Sequence, residues 1–195
     1  MVVKMAKRPP KKNKVEIHLS LALCEGESEV WFLESLGFKN FKAQKAKNRD
    51  VENIVIQAAN LPLRDYKTVY CVFDKDDNTD QQLDVANKRI KENTSLVRVY
   101  SLPNFEVIFY LAKNQFTQDE GYDFDSYISK NYLNSEKYQK TEKQIKLIAS
   151  QIDFKQLCIN SEAIYKKIGV DNNNWKQSID SQAYSEIFQL KDLVS

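Results

Sequence analysis

From Val15 to Leu23 the apolar residues Val15, Ile17, Leu19, Leu21 and Leu23 alternate with the others, the period of a β-strand. Ser28 to Leu36 carries Val30, Leu33 and the Trp31-Phe32 pair at helical spacing, and Gly37 stands where such a helix would stop. Phe38 to Ala46 reads as a short second strand. Val51, Ile54, Val55 and Ala58 stripe a helix over Asp50 to Asn60, closed by Leu61-Pro62. Lys67 to Phe73 is the clearest strand: β-branched, aromatic and nearly all apolar, as a strand buried on both faces should be. Leu83, Ala86, Asn87 and Ile90 predict a helix to about Lys91, and Ser95 to Tyr100 a further strand. After Ser101-Leu102-Pro103-Asn104-Phe105-Glu106 comes an apolar, helix-like run from Val107 to Ala112.

Alternating strands and helices predict an α/β fold of Rossmann-like type, a mostly parallel sheet flanked by helices, over residues 15–115. Residues 116–195 are polar, rich in Lys and Asn, and form a mostly helical C-terminal extension; Ile145, Ile148, Ala149 and Ile152 make one stripe, Leu157, Ile164 and Ile168 another. Residues 1–14 read as a flexible basic arm, with Pro9-Pro10 set against helix.

The chain has 195 residues, enough for one domain with a small appendage, and 42% of them are hydrophobic. No apolar run reaches the roughly 18 residues of a membrane-spanning helix. The basic start lacks the apolar stretch of a secretory signal. Cys24, Cys71 and Cys158 are odd in number and far apart, neither a disulfide framework nor a metal-binding pair, so a cytoplasmic protein is expected. A net charge of +2 decides little, but its distribution matters. Lys4, Lys7, Arg8, Lys11, Lys12 and Lys14 precede the first strand and can neutralise the phosphates of a nucleic acid; a solubilising tail is an equal alternative.

Two strand ends present carboxylates: Glu25, Glu27 and Glu29 after the first, Asp74, Asp76 and Asp77 after the third. In open α/β sheets this edge binds ligands. Side chains alternate in extended chain, so Asp74 and Asp76 can point the same way. Adjacent carboxylates repel unless a cation holds them, and Mg²⁺ favours one or two carboxylates completed by water and substrate phosphates. Such a site supports phosphoryl transfer. The competing reading is of ordinary loop acids and helix-start charges.

Leu23-Cys24-Glu25-Gly26-Glu27-Ser28-Glu29 resembles the first Toprim motif, in which Glu-Gly follows the first strand; Glu29 matches the second Glu of the version found in OLD-family nucleases. Val72-Phe73-Asp74-Lys75-Asp76 resembles the second motif, Asp-x-Asp after the third strand. Ser101 to Glu106, followed by a hydrophobic helix, is similar to the Ser-Asn-Pro-x-Phe-Glu signature of RloB-like proteins, small Toprim-type proteins of bacterial abortive infection and phage defence. Three departures stand out. The first turn is one residue shorter than the usual Glu-Gly-Glu-Lys-Thr-Glu. The last motif reads Leu-Pro-Asn. The Asp-x-Asp lacks the Gly that follows it in topoisomerases and primases.

The resemblance implies a Mg²⁺- or Mn²⁺-dependent nuclease or related phosphodiester enzyme. In it Asp74 and Asp76 bind metal, Glu25 ligates metal or relays a proton, and Glu29 completes a second metal position. Glu106 either orients the site or starts a helix, and Lys75 meets a phosphate or is simply solvated. It also implies an ATPase as partner protein. The alternative is a non-catalytic Toprim module that binds nucleic acid or nucleotide and regulates such a partner. A phosphatase of the haloacid-dehalogenase type is disfavoured, since its Asp-x-Asp should follow the first strand. Among the remaining residues, His18 is expected to be a packed or surface strand residue rather than a base, Trp31 and Phe32 are expected to pack between helix and sheet, and the Lys- and Tyr-rich run Tyr132 to Lys146 reads as a solvated helix ahead of a nucleic-acid surface.

Overall fold

The computed structural model describes residues 20–62, 65–75, 78–116, 118–170, 175 and 182–194. The basic arm with Lys7, Arg8, Lys11, Lys12 and Lys14, the start of the opening strand with His18, and Asp76 and Asp77 lie outside the described residues.

Strand and helix alternate as the pattern predicts: β1 (Ser20–Cys24), α1 (Glu27–Ser35), β2 (Phe41–Lys45), α2 (Val51–Ala59), β3 (Thr68–Asp74), α3 (Asp80–Lys91) and β4 (Leu96–Leu102). Then follow α4 (Val107–Leu111), α5 (Phe124–Tyr132), α6 (Glu142–Ala149), α7 (Phe154–Lys167), a short strand β5 (Tyr184–Ser185) and a 3₁₀ helix, Ile187–Val194. The sheet order is β2-β1-β3-β4-β5, parallel from β2 to β4, with β5 antiparallel at the edge. The α/β, Rossmann-like class therefore holds.

Central position accounts for composition. All five residues of β1 are buried, and so are six of the seven in β3, because helices cover both faces there. The edge strand β2 (FKAQK) buries only its middle residue, Ala43. Side chains fix the helix starts. The Asp50 carboxylate accepts the N–H groups of Glu52 and Asn53 ahead of α2, and Thr79 with Gln82 forms a capping box on α3. The Gln82 amide also donates to Asp50 Oδ2 at 2.8 Å, which ties the two helix starts together. Gly37 follows α1 with φ +66°, the left-handed stop that its position in the sequence predicts.

The C-terminal residues are mostly helical, and they share one hydrophobic core with the sheet, running from Leu21 to Leu190. They also return β5 to the sheet, where Ser185 and Ser101 pair through their hydroxyls at 2.9 Å. The run Tyr132 to Lys146 is not one helix. α5 ends at Tyr132 and α6 begins at Glu142, and between them Asn134, Ser135 and Lys140 have left-handed φ values of 50°, 69° and 52° that no α-helix accommodates.

From β1 the chain crosses to β2 on one side, then back past β1 to β3 on the other. This reversal opens a crevice beyond the C-terminal ends of β1 and β3, the place where open α/β sheets bind ligands.

Candidate functional site

The ladder between β1 and β3 pairs Cys24 with Val72, and the Glu25 N–H continues it by donating to the Val72 carbonyl at 3.0 Å. β3 thus runs two residues past this point, and Asp74 ends up against Glu25: the Asp74 N–H donates to Glu25 Oε2 at 3.3 Å. The Asp74 carboxylate is oriented from the other side, since its Oδ2 accepts the Phe105 N–H at 3.1 Å. Asn78 braces the loop behind it, donating to the Asp74 carbonyl at 3.0 Å and accepting the Val51 N–H at 3.3 Å. Three strand ends, those of β1, β3 and β4, thereby meet around two acidic residues.

Glu29 sits in the first turn of α1, only 7% exposed. Burial raises its carboxyl above the usual range, the Glu106 charge adds to the rise, and the N–H groups of Glu29 and Gly26 and the Lys140 ammonium work against it. Its Oε2 has no hydrogen-bond partner. Gly26, the residue before α1, makes this placement feasible: a Cβ there would lie 2.6 Å from Glu29 Oε2.

Glu106 stands at the start of α4 but makes no capping bond. At 2% exposure, it accepts the Tyr138 hydroxyl at 3.0 Å and pairs with Lys140 Nζ at 3.0 Å, while the Lys140 side chain stays about half exposed, at 51%. Burial acts to lower the Lys140 ammonium's pKa, but Glu106 outweighs it and holds the group above its ordinary value. Burial and the same carboxylate push the Tyr138 phenol up. The Glu106–Tyr138–Lys140 cluster anchors the segment between α5 and α6 at the strand ends.

Glu25, Glu29, Asp74 and Glu106 line a single cavity of about 230 Å³, with Arg49, Lys140 and Trp31 on its walls. Of the residues predicted from sequence, four converge. Lys75 lies outside the lining residues, its N–H donating to the Ser101 carbonyl at 3.1 Å. Asp76 is outside the described residues. Among the described residues, no three His, Cys, Asp or Glu side chains are gathered into a ready-made metal cage.

Arg49, Trp31, Tyr138 and Lys140 were not predicted for the site. A signal for Arg49 existed: Lys39, Lys42, Lys45, Lys47 and Arg49 follow one another from Phe38 to Arg49 without an acidic residue. Periodicity alone places Trp31 with Phe32 in the core. The structure separates them: Phe32 is fully buried, and Trp31 is part-exposed on the cavity wall.

A model of the family described as RloB-like protein matches residues 21–191, most of the chain. Searches of curated proteins and of solved structures return no match.

Proposed function

This chain belongs to the RloB-like family, and from that premise we propose that its acidic cavity is the centre of a Mg²⁺- or Mn²⁺-dependent nuclease, or a related phosphodiester enzyme, serving bacterial phage defence. The observation that carries the proposal is the convergence of Glu25, buried Glu29 and Asp74 on one cavity at the reversal of strand order, with Glu29 Oε2 left unpartnered. A buried carboxylate oxygen without a donor is costly unless a ligand satisfies it, and a set of carboxylate oxygens suits a hard divalent cation.

Glu25, Glu29 and Asp74, joined by Asp76, would hold the metal. A bound divalent cation neutralises charge on the phosphoryl group and lowers the pKa of its water. The protein supplies the rest. The Asp74 N–H holds Glu25, the Phe105 N–H holds Asp74, and Arg49 and Lys140 place positive charge where phosphates enter. Glu106 fixes Lys140, a positioning role. The basic arm, with Lys7, Arg8, Lys11, Lys12 and Lys14, adds phosphate contacts away from the chemistry. An ATPase partner, implied by the family resemblance, would control when the site acts.

Single- and double-stranded DNA and RNA incubated with purified protein test this reading. We expect cleavage of at least one of them in millimolar Mg²⁺ or Mn²⁺ and none in EDTA. Cleavage that is indifferent to EDTA would overturn it. Metal-independent nucleic-acid binding without cleavage would favour the regulatory module.

A further inference from the structure

We propose that the cavity takes an unpaired nucleotide of a single-stranded nucleic acid, with its base stacked on Trp31 and its backbone led in along the basic edge strand β2. The proposal rests on the reading above and narrows its substrate class.

The first observation is the exposure of Trp31. It lies on α1 four residues after Glu27 and three after Ser28, so all three share a helix face, and all three line the cavity. Phe32, one position on, packs edge-on against Phe105 and Phe109, with ring centroids 5.7 and 5.6 Å away. Trp31 makes no ring contact with another aromatic among the described residues. Its body rests on the core while part of the side chain stays open on the cavity wall. An indole anchored in this way is a rigid platform, and every base has a face to lay on it.

The second observation is charge. β2 is an edge strand, and the stretch from Lys39 to Arg49 through it holds five exposed cations and no acid. Lys45 pairs with Glu27 at 3.1 Å, so this strip borders α1, and Arg49 reaches the cavity itself. The order is backbone track, stacking platform, carboxylates, as in grooves that follow single strands. The third observation is that Glu29, buried and with its Oε2 unpartnered, lines the same cavity as Trp31 and Arg49. The cavity these residues share, about 230 Å³, holds the Trp31 wall, Arg49 and the carboxylates within the reach of one unit of a strand.

The test is fluorescence anisotropy with labelled oligodeoxynucleotides and oligoribonucleotides, single-stranded, duplex and fully abasic, in Ca²⁺ so that binding is read apart from turnover. Trp31→Leu keeps apolar bulk on the core and Trp31→Phe keeps a ring; thermal melting verifies that both fold. Stacking predicts that Trp31→Leu weakens single-strand binding about fivefold or more and Trp31→Phe by less than about threefold. It also predicts that abasic strands bind wild type and Trp31→Leu alike, and that duplex binds worse than single strand. Equal binding by the Leu and Phe variants, an equal loss on abasic strands, preference for duplex, or no binding by wild type would each overturn the inference. Base-dependent binding without metal-dependent cleavage would keep the inference and sink the nuclease. Cleavage of subsaturating single strands that is insensitive to Trp31→Leu would do the reverse.

Discussion

Purified Glu25→Gln protein is expected to cleave its nucleic-acid substrate about 100-fold or more slowly than wild type, the scale on which one acid–base or electrostatic group is lost. The substitution removes a charge and keeps the side chain's shape. Gln has the shape of Glu, and its amide oxygen can still accept the Asp74 N–H that now reaches Glu25 Oε2 at 3.3 Å. The backbone bond from the Glu25 N–H to Val72 is untouched. Melting temperature should therefore change by no more than a few degrees while the rate collapses. Initial rates at saturating metal, with melting curves on the same preparations, make the comparison. A wild-type rate in the variant would move the chemistry elsewhere.

The largest expected loss of stability lies at another place. Arg98 on β4 is 9% exposed and Glu186, beyond β5, is 1% exposed. They form a two-bond pair, Nε to Oε2 at 2.8 Å and Nη2 to Oε1 at 2.6 Å. The third guanidinium nitrogen donates to Asn87 at 2.7 Å, and the guanidinium lies 4.1 Å over the Trp175 ring. This cluster fastens the C-terminal strand to the sheet. Arg98→Ala leaves the buried Glu186 carboxylate with the Tyr100 N–H but without its counter-charge, a loss of about 3–5 kcal/mol. For a chain of this size that lowers the melting temperature by on the order of 10 °C. Replacing both partners, Arg98→Met with Glu186→Leu, removes the orphaned charge and should recover much of the loss. Denaturant titrations of the three proteins decide it. A single variant within about 1 kcal/mol of wild type, or a double variant as unstable as the single, would show that the pair is not the fastening.

The core of this fold was legible because its signals are local and repeated. Buried strands such as β1 and β3 must be apolar throughout, and helices such as α2 carry a stripe with a capping Asp in front. The convergence of Glu25 and Asp74 was legible too, since alternating strands and helices fix which ends of the strands share an edge. β5 was not: two residues, Tyr184 and Ser185, carry no period, and only their pairing with β4 makes them a strand. Arg98 and Glu186 are 88 positions apart and look like any surface charges. Tyr138 and Lys140 fall in a run whose charges suit a solvated helix. Left-handed residues break that helix, and the partner that draws both inward, Glu106, lies more than thirty positions earlier in the chain. Trp31 and Phe32 show the limit of periodicity most plainly. Adjacent aromatics on one helix point about 100° apart, and the pattern alone does not say which of them meets solvent.

The central claim is that the acidic residues hold a divalent cation, and thermal melting with and without millimolar Mn²⁺ tests it most directly. A ligand at 100 times its dissociation constant stabilises by about 2.7 kcal/mol, which corresponds to roughly 5–10 °C here. Wild type should show that rise, and Asp74→Asn/Asp76→Asn should melt at the same temperature with or without the metal; equal rises in the two proteins would contradict the assignment.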